Sequence, residues 1–182
     1  MDRREALRRA SLLLGGAVSA PTLAALLAAC DAGGVPGDTA ALRVLTPEQA
    51  ELLATIAEHI LPETDTPGAR AAGVHRFIDT MLALGYPERE RQGFLAGLAE
   101  VDALAERTCG QSFLACGARE QRAMLERLDG DADPFFRTTK ELTIVGYYTS
   151  EIGATRELRH LPVLGRYEGC VPLAQIGRTW AV

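Results

Sequence analysis

The chain has 182 residues, of which 47% are hydrophobic, and a formal net charge of −5. That length supports one ordinary domain with a buried core and is short for two. The acidic balance argues against nucleic acid as a partner, since phosphate binding needs a basic face, and with Lys140 as the single lysine there is no lysine-rich patch.

Arg3, Arg4, Arg8 and Arg9 precede a stretch from Ala10 to Cys30 that carries no charge, the basic-then-apolar order of a secretory signal. The adjacent Arg3 and Arg4 mark a twin-arginine export signal, the type used by proteins exported already folded. Gly15, Gly16, Ser19 and Pro21 weaken the apolar run, so a signal is preferred to an uncleaved anchor, although the length alone allows spanning. Leu27-Ala28-Ala29-Cys30 has the form of a lipobox, whose cysteine is acylated and becomes the first mature residue. Cleavage at Ala20 is disfavoured by the following Pro21, and a cut after Ala32 discards Cys30. Lipidation of Cys30 is the expectation, with ordinary cleavage or retention as the alternatives. Each buried acyl methylene adds roughly 0.8 kcal/mol, so more than one chain gives stable attachment. Asp31 is of the kind that keeps such proteins on the inner membrane. Loss of residues 1–29 removes four arginines together with Asp2 and Glu5, and takes the charge from −5 to about −7.

Residues 31–45, DAGGVPGDTAALRVL, read as a flexible tether, and residues 46–182 as the folded domain. Thr46-Pro47-Glu48-Gln49 combines an N-cap, a first-position proline and a capping-box glutamine. Leu52, Leu53, Ile56 and Ile60 then share a helical face until Pro62 stops the helix. A turn-rich ETDTPGARAAG leads to a second helix with Val74, Phe77, Ile78, Met81 and Leu82 inward, ended by Gly85. The third starts at Pro87 and turns Phe94, Leu95, Leu98 and Val101 inward. A shorter fourth runs from Arg119 to Leu128, with Met124, Leu125 and Leu128 as its stripe. Asp133-Pro134 caps a fifth. Its LTIVGYYT has strand propensity, but helix is preferred because nothing else in the chain offers a strand to pair with. From Leu161 onward prolines and glycines break regular structure, while Val163, Leu164, Tyr167, Val171, Leu173, Ile176 and Trp180 argue against disorder. The expected fold is all-α, a single-domain bundle of about five helices with an irregular, extended C-terminal docking tail over residues 161–182.

Chemistry is sparse. There is no GxGxxG and no P-loop, nor CxxCH or paired CxxC. His59, His75 and His160 are isolated and read as ordinary surface or core histidines. Asp129, Asp131 and Asp133 have a calcium-like spacing without the glycine and distal glutamate of a hand loop, and read as solvated acids. The expectation is no catalytic, cofactor-binding or metal-binding residue. Outside the cytoplasm, Cys109 and Cys116 are candidates for a bridge across GQSFLA, worth about 2.5 kcal/mol; the alternative is two small apolar side chains. With Cys30 lipidated, Cys170 is unpaired and either bonds another chain or is a buried thiol. Six of the ten aromatics lie from Phe135 onward. Tyr147 and Tyr148 point about 100° apart on a helix, so at least one leaves the core. Tyr147, Tyr148, Glu151, Tyr167, Cys170 and Trp180 are the candidate partner interface.

GYYTSEIGATRELRHLPVLGRYEGCVPL, taken with TPEQ, ETDTPGARAAGV and Arg3-Arg4, resembles the gluconate 2-dehydrogenase subunit 3 family. The likeness runs from Arg3 to Leu173. It implies a non-catalytic small subunit that binds a glucose-methanol-choline type flavoprotein, the carrier of FAD and oxidant of a sugar or sugar acid. It also implies a multihaem cytochrome c subunit holding haem c, and co-export of the assembled flavoprotein through the twin-arginine translocase to a periplasmic site at the inner membrane. The lipobox and the Cys109/Cys116 pair stand on the sequence alone. The other readings are a free-standing periplasmic lipoprotein with a structural or sensory role and, disfavoured by the missing motifs, an enzyme acting alone.

Overall fold

A computed structural model describes residues 41–163, 165 and 170–181. Arg3, Arg4, Cys30 and Tyr167, with most of the tether, lie outside the described residues. The packed unit begins at Leu42.

The first helix, α1 (Pro47–Ile60), starts on the capping box read from the sequence. Thr46 Oγ1 accepts from the Gln49 N–H at 3.2 Å, and Gln49 Oε1 accepts from the Thr46 N–H at 3.0 Å, satisfying donors that a helix start leaves open. Ahead of it, residues 43–45 are fastened to α2 (Val74–Leu84) by a buried carboxylate. Asp79 accepts the N–H groups of Arg43 at 2.7 Å, Val44 at 2.9 Å and Leu45 at 2.8 Å. Leu45 thereby becomes part of the core.

α3 (Glu88–Cys109) ends on Gly110, whose φ of 71° is the left-handed conformation that closes a helix without a Cβ clash. A 3₁₀ turn (Phe113–Ala115) leads into α4 (Ala118–Gly130), and Asp133 caps α5 (Pro134–Tyr148) by accepting from the Phe136 N–H at 2.9 Å. LTIVGYYT is helical as far as Tyr148, with Thr149 as the C-cap, in agreement with the sequence reading.

α5 is the central element, in contact with α1, α2, α3 and α4. Its close approach to α2 depends on Gly146, where a Cβ would stand 2.6 Å from Phe77 Cδ1. Leu53, Ile56, Val74, Ile78, Leu82, Leu98 and Phe113 fill the centre at 2% exposure or less. Thr139 and Thr143 of α5 are buried with them. Thr139 Oγ1 donates to the Phe135 carbonyl at 2.9 Å, while the Thr143 hydroxyl has no hydrogen-bond partner among the described residues.

Past α5 a π turn (Gly153–Glu157) leads to β1 (Arg159–His160). The chain returns through α6 (Leu173–Ile176) so that β2 (Trp180–Ala181) pairs in parallel with β1, Arg159 opposite Trp180 and His160 opposite Ala181. Among the described residues none beyond Ile152 joins the core. The described tail therefore closes on its own root. The fold is all-α, and the described part of the tail is irregular apart from β1, the short α6 and β2. No described helix is long and apolar enough to cross a membrane.

Candidate partner interface

α5 has two faces. Phe135, Phe136, Thr139, Leu142, Thr143, Gly146 and Tyr147 turn inward. Glu141, Ile144, Val145 and Tyr148, at spacings of three and four, turn outward. Ile144 is 41% exposed, Val145 50% and Tyr148 37%, an apolar stripe on the helix that contacts α1, α2, α3 and α4.

The two tyrosines part company. Tyr147 is 4% exposed, and its hydroxyl donates to the Pro67 carbonyl at 2.8 Å, which ties the end of α5 to the connector between α1 and α2. Its assignment to a partner surface is therefore corrected: it is a core residue, because its polar tip finds a backbone acceptor inside the body. Tyr148 is the exposed member, its ring edge-on to Tyr147 at 5.4 Å between centroids, so a buried neighbour fixes its orientation. Ile144 and Val145 were not singled out in the sequence. The signal was present as the i, i+3, i+4, i+7 spacing from Glu141, but it reads as stripe only once the opposite face is known to be core.

Glu151 and Cys170 are exposed. Trp180 is half-buried, with the Arg159 guanidinium 4.3 Å from its ring centroid, a cation–π contact that joins β1 to β2.

His59 and the acids of the 129–133 loop are tied into the scaffold. His59 Nε2 lies 2.9 Å from Gln121 Oε1, and Gln121 Nε2 donates to the Phe113 carbonyl at 2.7 Å. With Oε1 as the acceptor, the His59 Nε2 is the donor. Asp129 pairs with Lys140 at 2.8 Å, Asp131 with Arg127 at 3.6 Å, and Asp133 caps α5. The three acids thus face three different partners rather than one cation.

Cys109, Cys116 and Glu120 form the single group of potential metal ligands among the described residues, their donor atoms within 4.8 Å of one another. Both cysteines are thiols in this structure. A hydrogen bond with Cys116, followed by burial, pushes the Cys109 thiol up to about 11.

These features define a small all-helical domain whose central helix presents an apolar stripe outward. Residues 47–165, about two thirds of the chain, match the family described as Gluconate 2-dehydrogenase subunit 3, and the chain belongs to that family. By its description the family is one subunit of a dehydrogenase complex. The matched range includes the α5 stripe and stops short of Cys170 and Trp180. Neither the curated proteins nor the solved structures gave a match.

Proposed function

We propose that this chain is the non-catalytic small subunit of a periplasmic, membrane-associated dehydrogenase, and that it docks the flavoprotein subunit on the outer face of α5. The observation that carries this reading is the stripe of Ile144, Val145 and Tyr148 on the helix that organises the core. A face of that kind, held rigid from behind, suits the aromatic and aliphatic anchors of an interface core. Its place inside the family's matched range supports the same reading. Catalysis then belongs to the partner: FAD and the sugar or sugar-acid site in a glucose-methanol-choline type flavoprotein, haem c in a cytochrome subunit.

The amino-terminal segment supplies the route on this reading. Arg3 and Arg4 direct the chain, with its folded flavoprotein attached, to the twin-arginine translocase, and acylated Cys30 holds the complex at the inner membrane. Exposed Cys170 bonds a cysteine of the partner. The test is to purify the tagged chain from gently solubilised membranes of its native host. A co-purifying flavoprotein with an FAD spectrum is expected; a single band without flavin overturns the reading.

A further inference from the structure

Three separate pieces of backbone deliver Cys109, Cys116 and Glu120 to one point. Cys109 is the last residue of α3, Cys116 follows the 3₁₀ turn, and Glu120 stands in the first turn of α4. We propose that these three side chains form a binding site for a thiophilic divalent cation of the zinc class, with a fourth coordination position open to water or to a donor from outside the chain.

The geometry suits such an ion. Around a tetrahedral centre with bonds of about 2.3 Å to sulfur and 2.0 Å to oxygen, neighbouring donors stand roughly 3.5 to 3.8 Å apart. The three donor atoms lie within 4.8 Å of one another, so closing on a cation takes side-chain movements of about 1 Å. Two sulfurs with one carboxylate select a soft or borderline cation over magnesium or calcium, which want oxygen alone. Exposure grades from buried Cys116 through half-buried Cys109 to exposed Glu120, giving the site a closed floor and an open mouth, as three-ligand sites have.

The intervening loop is fixed before any ion arrives. Gln111 Nε2 donates to the Ala115 carbonyl at 2.8 Å, Asp102 Oδ1 accepts the Phe113 N–H at 2.8 Å, and the Phe113 ring is fully buried. Gln121 holds the Phe113 carbonyl from α4 and is itself held by His59 of α1. Glu120 Oε2 accepts the Gly117 N–H at 3.0 Å, which orients the carboxylate and leaves its other oxygen for a metal. An outer layer of this kind positions ligands.

The binding step balances simply. The cation displaces one proton from each thiol to solvent, forms two metal–thiolate bonds and one metal–carboxylate bond, and the assembled centre carries a charge of −1. The competing fate of the same pair is the disulfide, in which the thiols lose two protons and two electrons to an oxidant and Glu120 remains only a helix-start carboxylate.

Cobalt(II), titrated into the full-length, reduced and metal-free chain, distinguishes the two. Uptake of one equivalent is expected, with a sulfur-to-cobalt charge-transfer band and the intense visible bands of a tetrahedral site, and zinc should displace it. Cys116→Ser abolishes the band, with far-ultraviolet circular dichroism checking the fold. Glu120→Gln, at an exposed position, weakens binding roughly tenfold or more, and Cys170→Ser leaves it unchanged. No stoichiometric uptake by the reduced chain, a band that survives Cys116→Ser, or a Cys109–Cys116 disulfide in peptide maps of protein isolated from its host compartment overturns the proposal.

Discussion

Asp79 shows how much one residue can set. It lies at 2% exposure on the buried face of α2 and accepts three consecutive backbone N–H groups from residues 43–45. Those donors have no helix to serve them, and a charged acceptor is the stronger kind. Asp79→Ala should lower unfolding stability by about 3 kcal/mol, read as a fall in urea midpoint, with Asp79→Asn losing less because one oxygen remains. A loss within about 0.5 kcal/mol, the usual range for a surface change, would show that the clamp contributes nothing. Thr143 presents the opposite case, a fully buried hydroxyl without a partner among the described residues. Thr143→Val keeps the shape and removes the unpaired group, so stability should rise by about 1 kcal/mol; a lower melting temperature would mean that the hydroxyl is bonded after all.

At the scale of the element, α5 separates stability from binding. Its inner face packs on four other helices, and its outer face carries Ile144, Val145 and Tyr148 in the open. Substitution on the outer face should therefore leave the chain folded while removing the partner. Val145→Glu is expected to change the chain's own stability by no more than about 0.5 kcal/mol and to abolish flavoprotein co-purification, since a charge at the centre of an apolar contact must be desolvated without a partner. Retention of the flavoprotein by this variant would move the docking face elsewhere on the body.

For the whole molecule, the predictions concern traffic and attachment. Replacing Arg3 and Arg4 by lysine should leave both this chain and the flavoprotein in the cytoplasm, as scored by fractionation; continued export of the flavoprotein would show that it travels independently. Cys170 is exposed and lies in the chain between β1 and β2. If it bonds the partner, non-reducing gels of the native complex contain a high-mass band that Cys170→Ser removes. No such band in the wild type would rule out the intersubunit bond.

Much of the helical order is local and was legible in the residues themselves. Thr46-Pro47 and Asp133-Pro134 announce helix starts because capping depends on neighbours three residues apart, and the core stripes of the helices follow from a period of 3.6. The capped start and inward face of α5 outweighed the β-branched run in LTIVGYYT for the same reason. What sequence could not give was the fate of single polar or aromatic side chains. Asp79 looks like any surface acid on an amphipathic helix until residues 43–45 arrive against it. Tyr147 and Tyr148 are adjacent and chemically identical, and the packing of α5 against its neighbours, with the Pro67 carbonyl as acceptor, makes the first core and the second surface. The convergence of Cys109 and Cys116 with Glu120 likewise depends on how α3 and α4 meet. The sequence by itself determined where helices start, which stripes seek burial and that the chain is all-α, since those follow from neighbours along the backbone. Only the tertiary structure decided which side of α5 remained exposed and which polar groups met, since these depend on contacts between residues far apart in the chain.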